Sequence, residues 1–135
     1  MVRSVTAGAL SRSSTLMATA GTGSINAANW PTGQLDPASY FTLTIVAPSG
    51  CALDLTGVAL DVKSSSTGPS SAAIAASDSA FAQTTQVSTT AAGAVALSVA
   101  NASGQVELRI FGFAASATTG TMRIENQLTI SGSVH

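Results

Sequence analysis

Residues 104–134 read GQVELRIFGFAASATTGTMRIENQLTISGSV. Two alternating runs lie in this stretch. In the first, Val106, Leu108 and Ile110 alternate with Glu107, Arg109 and Phe111; in the second, Met122 and Ile124 alternate with Thr121, Arg123 and Glu125. Successive side chains of a strand point to opposite faces, so each run predicts a strand with one buried side. The link over 114–120 is made of small residues and ends on glycine, which predicts a β-hairpin closing an antiparallel sandwich. On that reading Glu107, Arg109, Arg123 and Glu125 share faces of two paired strands. They form either a structural ion-pair ladder or a polar patch that grips a sugar.

Working back along the chain, YFTLTIVA over 40–47 is the clearest strand, with Phe41, Leu43 and Ile45 on one face and Tyr40, Thr42 and Thr44 on the other. Leu53 and Leu55, then Val58, Leu60 and Val62, keep period two within each half. The phase slips at Thr56-Gly57, where a bulge or a change of sheet belongs. Ala72, Ile74 and Ala76 predict a short strand ahead of Asp78, and Val95, Leu97 and Val99 another. Residues 2–10 suit a first, edge strand. Residues 11–34, rich in Gly, Ser, Ala and Thr, predict a long connection with a short strand near Thr15 to Thr19. The sum is about eight short strands with a turn signal every ten residues or so. That spacing predicts one all-β domain over 1–135, an antiparallel β-sandwich of jelly-roll type. Its core should centre on Phe41, Leu43, Ile45, Leu60, Leu108, Ile110 and Ile124. Strict alternation would place Asn126 in an apolar row, so a bulge is expected at Asn126-Gln127.

At 135 residues the chain is long enough for one proper core. Charged residues make up only 8%, against roughly 25% in an average soluble domain. The net charge of -1 and five scattered basic residues (Arg3, Arg12, Lys63, Arg109, Arg123) supply no field for nucleic acid. No apolar run reaches the ~18 residues of a membrane span, so no membrane insertion is expected. The single Cys51 permits no internal disulfide and reads as a small buried thiol.

In this setting the chain resembles the β-sandwich modules of secreted bacterial proteins that are sorted to the surface by a PEP-CTERM-type signal. The resemblance lies in Asn29-Trp30, Leu35-Asp36 with Tyr40-Phe41, Ser65-Ser66-Thr67-Gly68-Pro69, Ser77-Asp78 with Phe81, the run LRIFGFAA, and Gly120 to Asn126. It implies a galactose-binding-like jelly roll, export and no catalysis. Three departures stand out: only Lys63 is basic ahead of Thr67-Gly68-Pro69, Glu125 replaces an aspartate, and Gln127 is one residue extra. MVRSVTAGAL has no signal-peptide core and no sorting signal follows Val134, so the expectation is an extracellular or cell-surface module with signal peptide and anchor absent from this chain, either because it is cut at the domain edge or because it is not anchored that way.

Catalytic constellations are scarce. The one histidine, His135, is terminal, and there is no Gly-x-Ser-x-Gly elbow or metal-spaced His/Cys set. A carboxylate pair, Asp54 with Asp61 or Glu107 with Glu125, is the remaining enzymatic option, and a module this small rarely encloses a substrate cleft. The expectation is no enzyme. Asp36, Asp78, Glu125 and Asn126 could supply oxygens to a structural calcium, with Asx turns and strand caps as the plainer reading; no other cofactor is expected. For ligand contact the candidates are Trp30, Asn29, Tyr40, Arg109 and Arg123. Trp30 in its loop is either a sugar platform or a plug at one end of the sandwich. The expected work is display, adhesion or carbohydrate contact, with a glycan or cell-surface polymer as partner. The alternative is a structural subunit that self-associates into a filament or lattice through strand edges, since so few charges guard them.

Overall fold

The computed structural model describes residues 6–7, 9–20, 24–125 and 128–135. Its regular structure is β apart from one 3-10 turn, Ser77–Ser79. The strands of the first half are β1 (Thr6–Ala7), β2 (Ser11–Arg12), β3 (Met17–Thr19), β4 (Ser24–Ala28), β5 (Tyr40–Val46), β6 (Ala52–Leu60) and β7 (Val62–Ser64). Those of the second are β8 (Pro69–Ala76), β9 (Thr84–Val87), β10 (Gly93–Ser103), β11 (Gln105–Ala115), β12 (Met122–Glu125) and β13 (Thr129–Val134). All pairings are antiparallel.

One layer has the order β1-β5-β11-β8-β9, with β2 continuing the edge beside β5. Facing it are two smaller sheets, β3-β4-β12-β7 and β10-β6-β13. These two run on from one another: Asp61 alone separates β6 from β7, and Glu125 donates its N–H to the Asp61 carbonyl at the seam, 2.9 Å. The fold is thus an antiparallel β-sandwich of jelly-roll type. Its segments outnumber the expected eight because long runs are interrupted, and because 11–34 holds three short strands where mostly connection was expected.

The interior follows period two. Phe41, Leu43 and Ile45 of β5 meet Val106, Leu108 and Ile110 of β11 on the inner face of the first layer; Leu53, Leu55, Val58, Leu60, Met122 and Ile124 face them. All seven residues expected at the core centre are buried. Cys51 is buried beside them. The slip at Thr56-Gly57 is real: Gly57 and Leu55 stand opposite a register shift between Ser131 and Gly132 on β13, and another lies between Ala96 and Val99 on β10. Of the edge strand expected over 2–10, Thr6–Ala7 pairs with β5; residues 1–5 and 8 lie outside the described residues, as does the bulge expected at Asn126-Gln127.

The closing hairpin does not form. β11 pairs with β5 and β8, whereas β12 pairs with β4 and β7 in the opposite layer. Alternation says that a strand has a buried face and is silent about its neighbour. Here the link between the two runs crosses over the end of the sandwich, held by the 65–68 loop. Ser116 N–H donates to the Thr67 carbonyl (2.9 Å), and Ser65 N–H donates to that of Thr121 (2.9 Å). Ser65 Oγ accepts from Thr121 N–H (2.9 Å), so the serine-rich loop satisfies backbone groups as its composition suggests. A Cβ on Gly68 would strike the Thr121 backbone and one on Gly120 would strike that of Thr67, so the crossover requires both glycines. The Lys63 ammonium lies 3.9 Å from Asp61 on the same strand run.

Candidate functional site

The outer face of the first layer carries the richest cluster of side chains. The residues that alternate with the core rows of β5 and β11 point outward here: Tyr40 and Thr42, Glu107, Arg109 and Phe111. The ladder sets Arg109 opposite Thr42 and Phe111 opposite Tyr40. Beyond β8 the chain makes its 3-10 turn and folds back over this face. Ala80 (φ 54°) and Phe81 (φ 63°) both take left-handed backbone angles, uncommon without glycine, and these bring the Phe81 ring onto Arg109.

The Arg109 guanidinium is stacked between two rings, its Cζ 4.2 Å from the Tyr40 centroid and 4.0 Å from that of Phe81. Its Nε donates to Glu107 Oε2 at 2.8 Å, and the same oxygen accepts from Thr42 Oγ1 at 2.8 Å. The Glu107 N–H in turn donates to Ser77 Oγ (2.9 Å), tying the turn to the sheet. Burial pushes the Glu107 carboxyl up, but the Arg109 and Thr42 hydrogen bonds and the Arg109 charge outweigh it and hold the carboxyl below its ordinary 4.5. Phe111, edge-on to Tyr40 with centroids 5.9 Å apart, is buried although it stands outside the inner core. The result is a small, partly covered aromatic cluster with a fixed arginine at its centre. It presents ring edges and the outer N–H groups of the guanidinium, the combination that meets C–H and hydroxyl groups of a polyol.

The five residues expected to touch a ligand do not form one site. Tyr40 and Arg109 come together. Trp30 is 1% exposed, donates its Nε1–H to the Ala27 carbonyl (2.9 Å) and packs edge-on against Phe41, so it plugs the sandwich and offers no platform. Gly112 makes room for it: a Cβ there would lie 3.0 Å from the indole and 2.9 Å from Met122 Cε. Asn29 uses its amide to hold the Thr15 carbonyl (2.8 Å), a loop tie. Arg123 is on the outer face of the other layer, bonded to Glu125 at 2.6 Å. The cross-strand ladder is therefore absent: each arginine pairs with the glutamate two residues away on its own strand. Phe81 escaped the sequence reading of the site because only the fold-back brings it near; its place beside Ser77-Asp78 was the available signal.

The acids expected for calcium stand on separate elements. Asp36 Oδ1 accepts from the Ala38 N–H (2.9 Å) in an Asx turn, Asp78 lies in the 3-10 turn, and Glu125 is on β12. Among the described residues no group of three or more His, Cys, Asp or Glu gathers to hold a metal; Asn126 lies outside them. Nor, among these residues, is any helix long and apolar enough to cross a membrane.

No protein-family model matches the chain, and no curated protein matches its sequence. Solved structures do resemble it. A mutant of CBM29-2, a family 29 carbohydrate-binding module solved with cellulohexaose, is 13% identical over 98% of this chain and 95% of its own, with a TM-score of 0.52. A second CBM29-2 mutant, solved with mannohexaose, gives the same identity and coverage at a TM-score of 0.47. The secreted serine protease VesC from Vibrio cholerae is 10% identical at a TM-score of 0.47, and this chain spans 24% of its length. At such identities the likeness to the cellulohexaose-bound module speaks to the sandwich fold.

Proposed function

We propose that the chain is a non-catalytic β-sandwich module that contacts carbohydrate outside the cell, in display or adhesion at a surface or matrix, and that the glycan lies on the outer face around Arg109. The observation that carries this reading is the Tyr40–Arg109–Phe81 stack, anchored through Glu107 and Thr42. A sugar presents C–H patches beside hydroxyls, and a rigid ring-and-guanidinium surface matches both without needing to be ordered on binding. The likeness to a carbohydrate-binding module over nearly the full length of both chains supports it, as does the sequence resemblance to exported PEP-CTERM-type modules. A glycan-array screen with and without calcium tests it: selective binding of uncharged glycans supports the reading, and an array with no bound glycan overturns it.

One feature favours the alternative of self-assembly. β10 is an eleven-residue edge strand without a charged residue. Two register shifts interrupt it, however, and irregular edges resist strand addition. Sedimentation at several concentrations separates the readings: one constant small species opposes assembly, and growth with concentration favours it.

A further inference from the structure

A cleft lies beside the segment that carries Phe81. It opens between β9 and β10, the edge strands of the two layers, and its volume is about 410 Å³, within the roughly 300–1,000 Å³ of small-ligand pockets. One wall is Asp78, Ser79, Gln83, Thr84 and Thr85; the other includes Leu97, Ser98 and Val99. Ala76 and Val99, both buried, and Leu97, packed against the core, give it an apolar floor. We propose that this cleft is a second saccharide site, taking one or two rings of an uncharged glycan.

Three observations carry the assignment. Asp78, Gln83, Thr84, Thr85 and Ser98 line the cleft and make no side-chain hydrogen bond or ion pair to the described residues; Thr84 and Thr85, consecutive on β9, face opposite ways, so at most four of these side chains can serve one ligand. Hydroxyls and an amide both donate and accept, as a polyol requires, and the apolar floor suits its C–H surface. Among the described residues the one charged group lining the cleft is Asp78 and no cation lines it, which disfavours anionic ligands such as uronates or phosphates. The register shift between Ala96 and Val99 lies in the β10 wall. It breaks the row of backbone groups an added strand would need, so a sugar fits this slot better than an extended peptide.

The cleft and the Arg109 face share one segment. Residues 77–83 send Phe81 to Arg109 and contribute Asp78, Ser79 and Gln83 to the lining of the cleft. A glycan long enough to bridge them would bind both, and the second contact would be intramolecular. The choice of a sugar for the cleft rests on the carbohydrate reading above.

The test is an NMR titration of the whole chain with cellobiose, mannobiose, cellohexaose and mannohexaose, following the Leu97 and Val99 methyls together with the Tyr40 and Phe81 rings. A disaccharide should move the Leu97 and Val99 methyls. Ser98→Arg, which fills the cleft, should abolish those shifts, leave the ring shifts intact and weaken the hexasaccharide about tenfold or more. Gln83→Ala is the milder companion, expected to weaken the disaccharide with an unchanged spectrum of the unliganded protein. Ring shifts without methyl shifts would overturn the cleft and leave the Arg109 reading standing. Methyl shifts without ring shifts would do the reverse, and a titration that moves neither overturns both.

Discussion

The two outer faces of the sandwich each carry an arginine and a glutamate two residues apart on one strand: Glu107 and Arg109 on β11, Arg123 and Glu125 on β12. Their bond lengths are similar, 2.8 and 2.6 Å, yet their surroundings differ. The ladder puts Thr42 beside Arg109 and the fold-back adds Phe81, whereas Arg123 is flanked by Asn26 and Lys63. The Arg109 side chain is 25% exposed and that of Arg123 38%. The same local spacing thus yields a stacked, anchored arginine on one face and an ordinary surface ion pair on the other. Cross-strand neighbours make the difference, and they come from distant parts of the chain.

Five substitutions test that contrast. The largest effect should come from the interior both faces share. Trp30→Ala should cost about 3–5 kcal/mol in chemical denaturation through the cavity it leaves. A loss under about 1 kcal/mol would mean that the indole is not part of the core and could serve as a platform after all. Next comes the crossover that sends β11 and β12 to opposite layers. Gly120→Ala should cost about 1–3 kcal/mol, since the added methyl meets Thr67 backbone rather than a movable side chain. A neutral substitution there would leave the crossover unexplained.

The direct comparison follows. Arg109→Met should destabilise by about 1–2 kcal/mol, combining two cation–π contacts with an ion pair. Arg123→Met should cost no more than about 0.5 kcal/mol, as exposed pairs do. Equal losses would erase the distinction between the faces. The smallest effect is in the pH profile. A carboxyl held below its unfolded pKa stabilises the fold above that value, and the contribution is lost as pH falls through the folded one. Glu107 behaves so, and Asp54 as well, lowered chiefly by the Asn101 N–H with help from His135. Stability should therefore decline on acidification below about 4.5. Glu107→Gln should remove only part of that decline, because Asp54 retains its share. An unchanged acid profile in Glu107→Gln would show that the Arg109 and Thr42 bonds do not persist in solution.

Particular residues show what could be read without coordinates. Period two named the buried faces of β5, β6, β8 and β11 correctly, and the glycine at 57 marked the slip, because both signals are local. Pairing is not local. Nothing in the alternation of Met122 and Ile124 says that β4 and β7, rather than β11, complete their ladder. Tyr40 and Arg109 were legible as polar-faced residues of good strands, but Phe81 required the two left-handed residues after β8. Trp30 between Asn29 and Pro31 read as either platform or plug; what decides for the plug is the space left by Gly112, over eighty residues later.

The most direct test of the carbohydrate-contact reading is a binding isotherm with the glycan selected by the array, measured on the unaltered chain, Arg109→Met and Arg123→Met. Arg109→Met should weaken binding about tenfold or more while keeping a folded spectrum, because it removes the fixed donors at the centre of the cluster. Arg123→Met should bind as the unaltered chain does. Undiminished binding by Arg109→Met, or a loss confined to Arg123→Met, would contradict the assignment of the glycan to the Arg109 face.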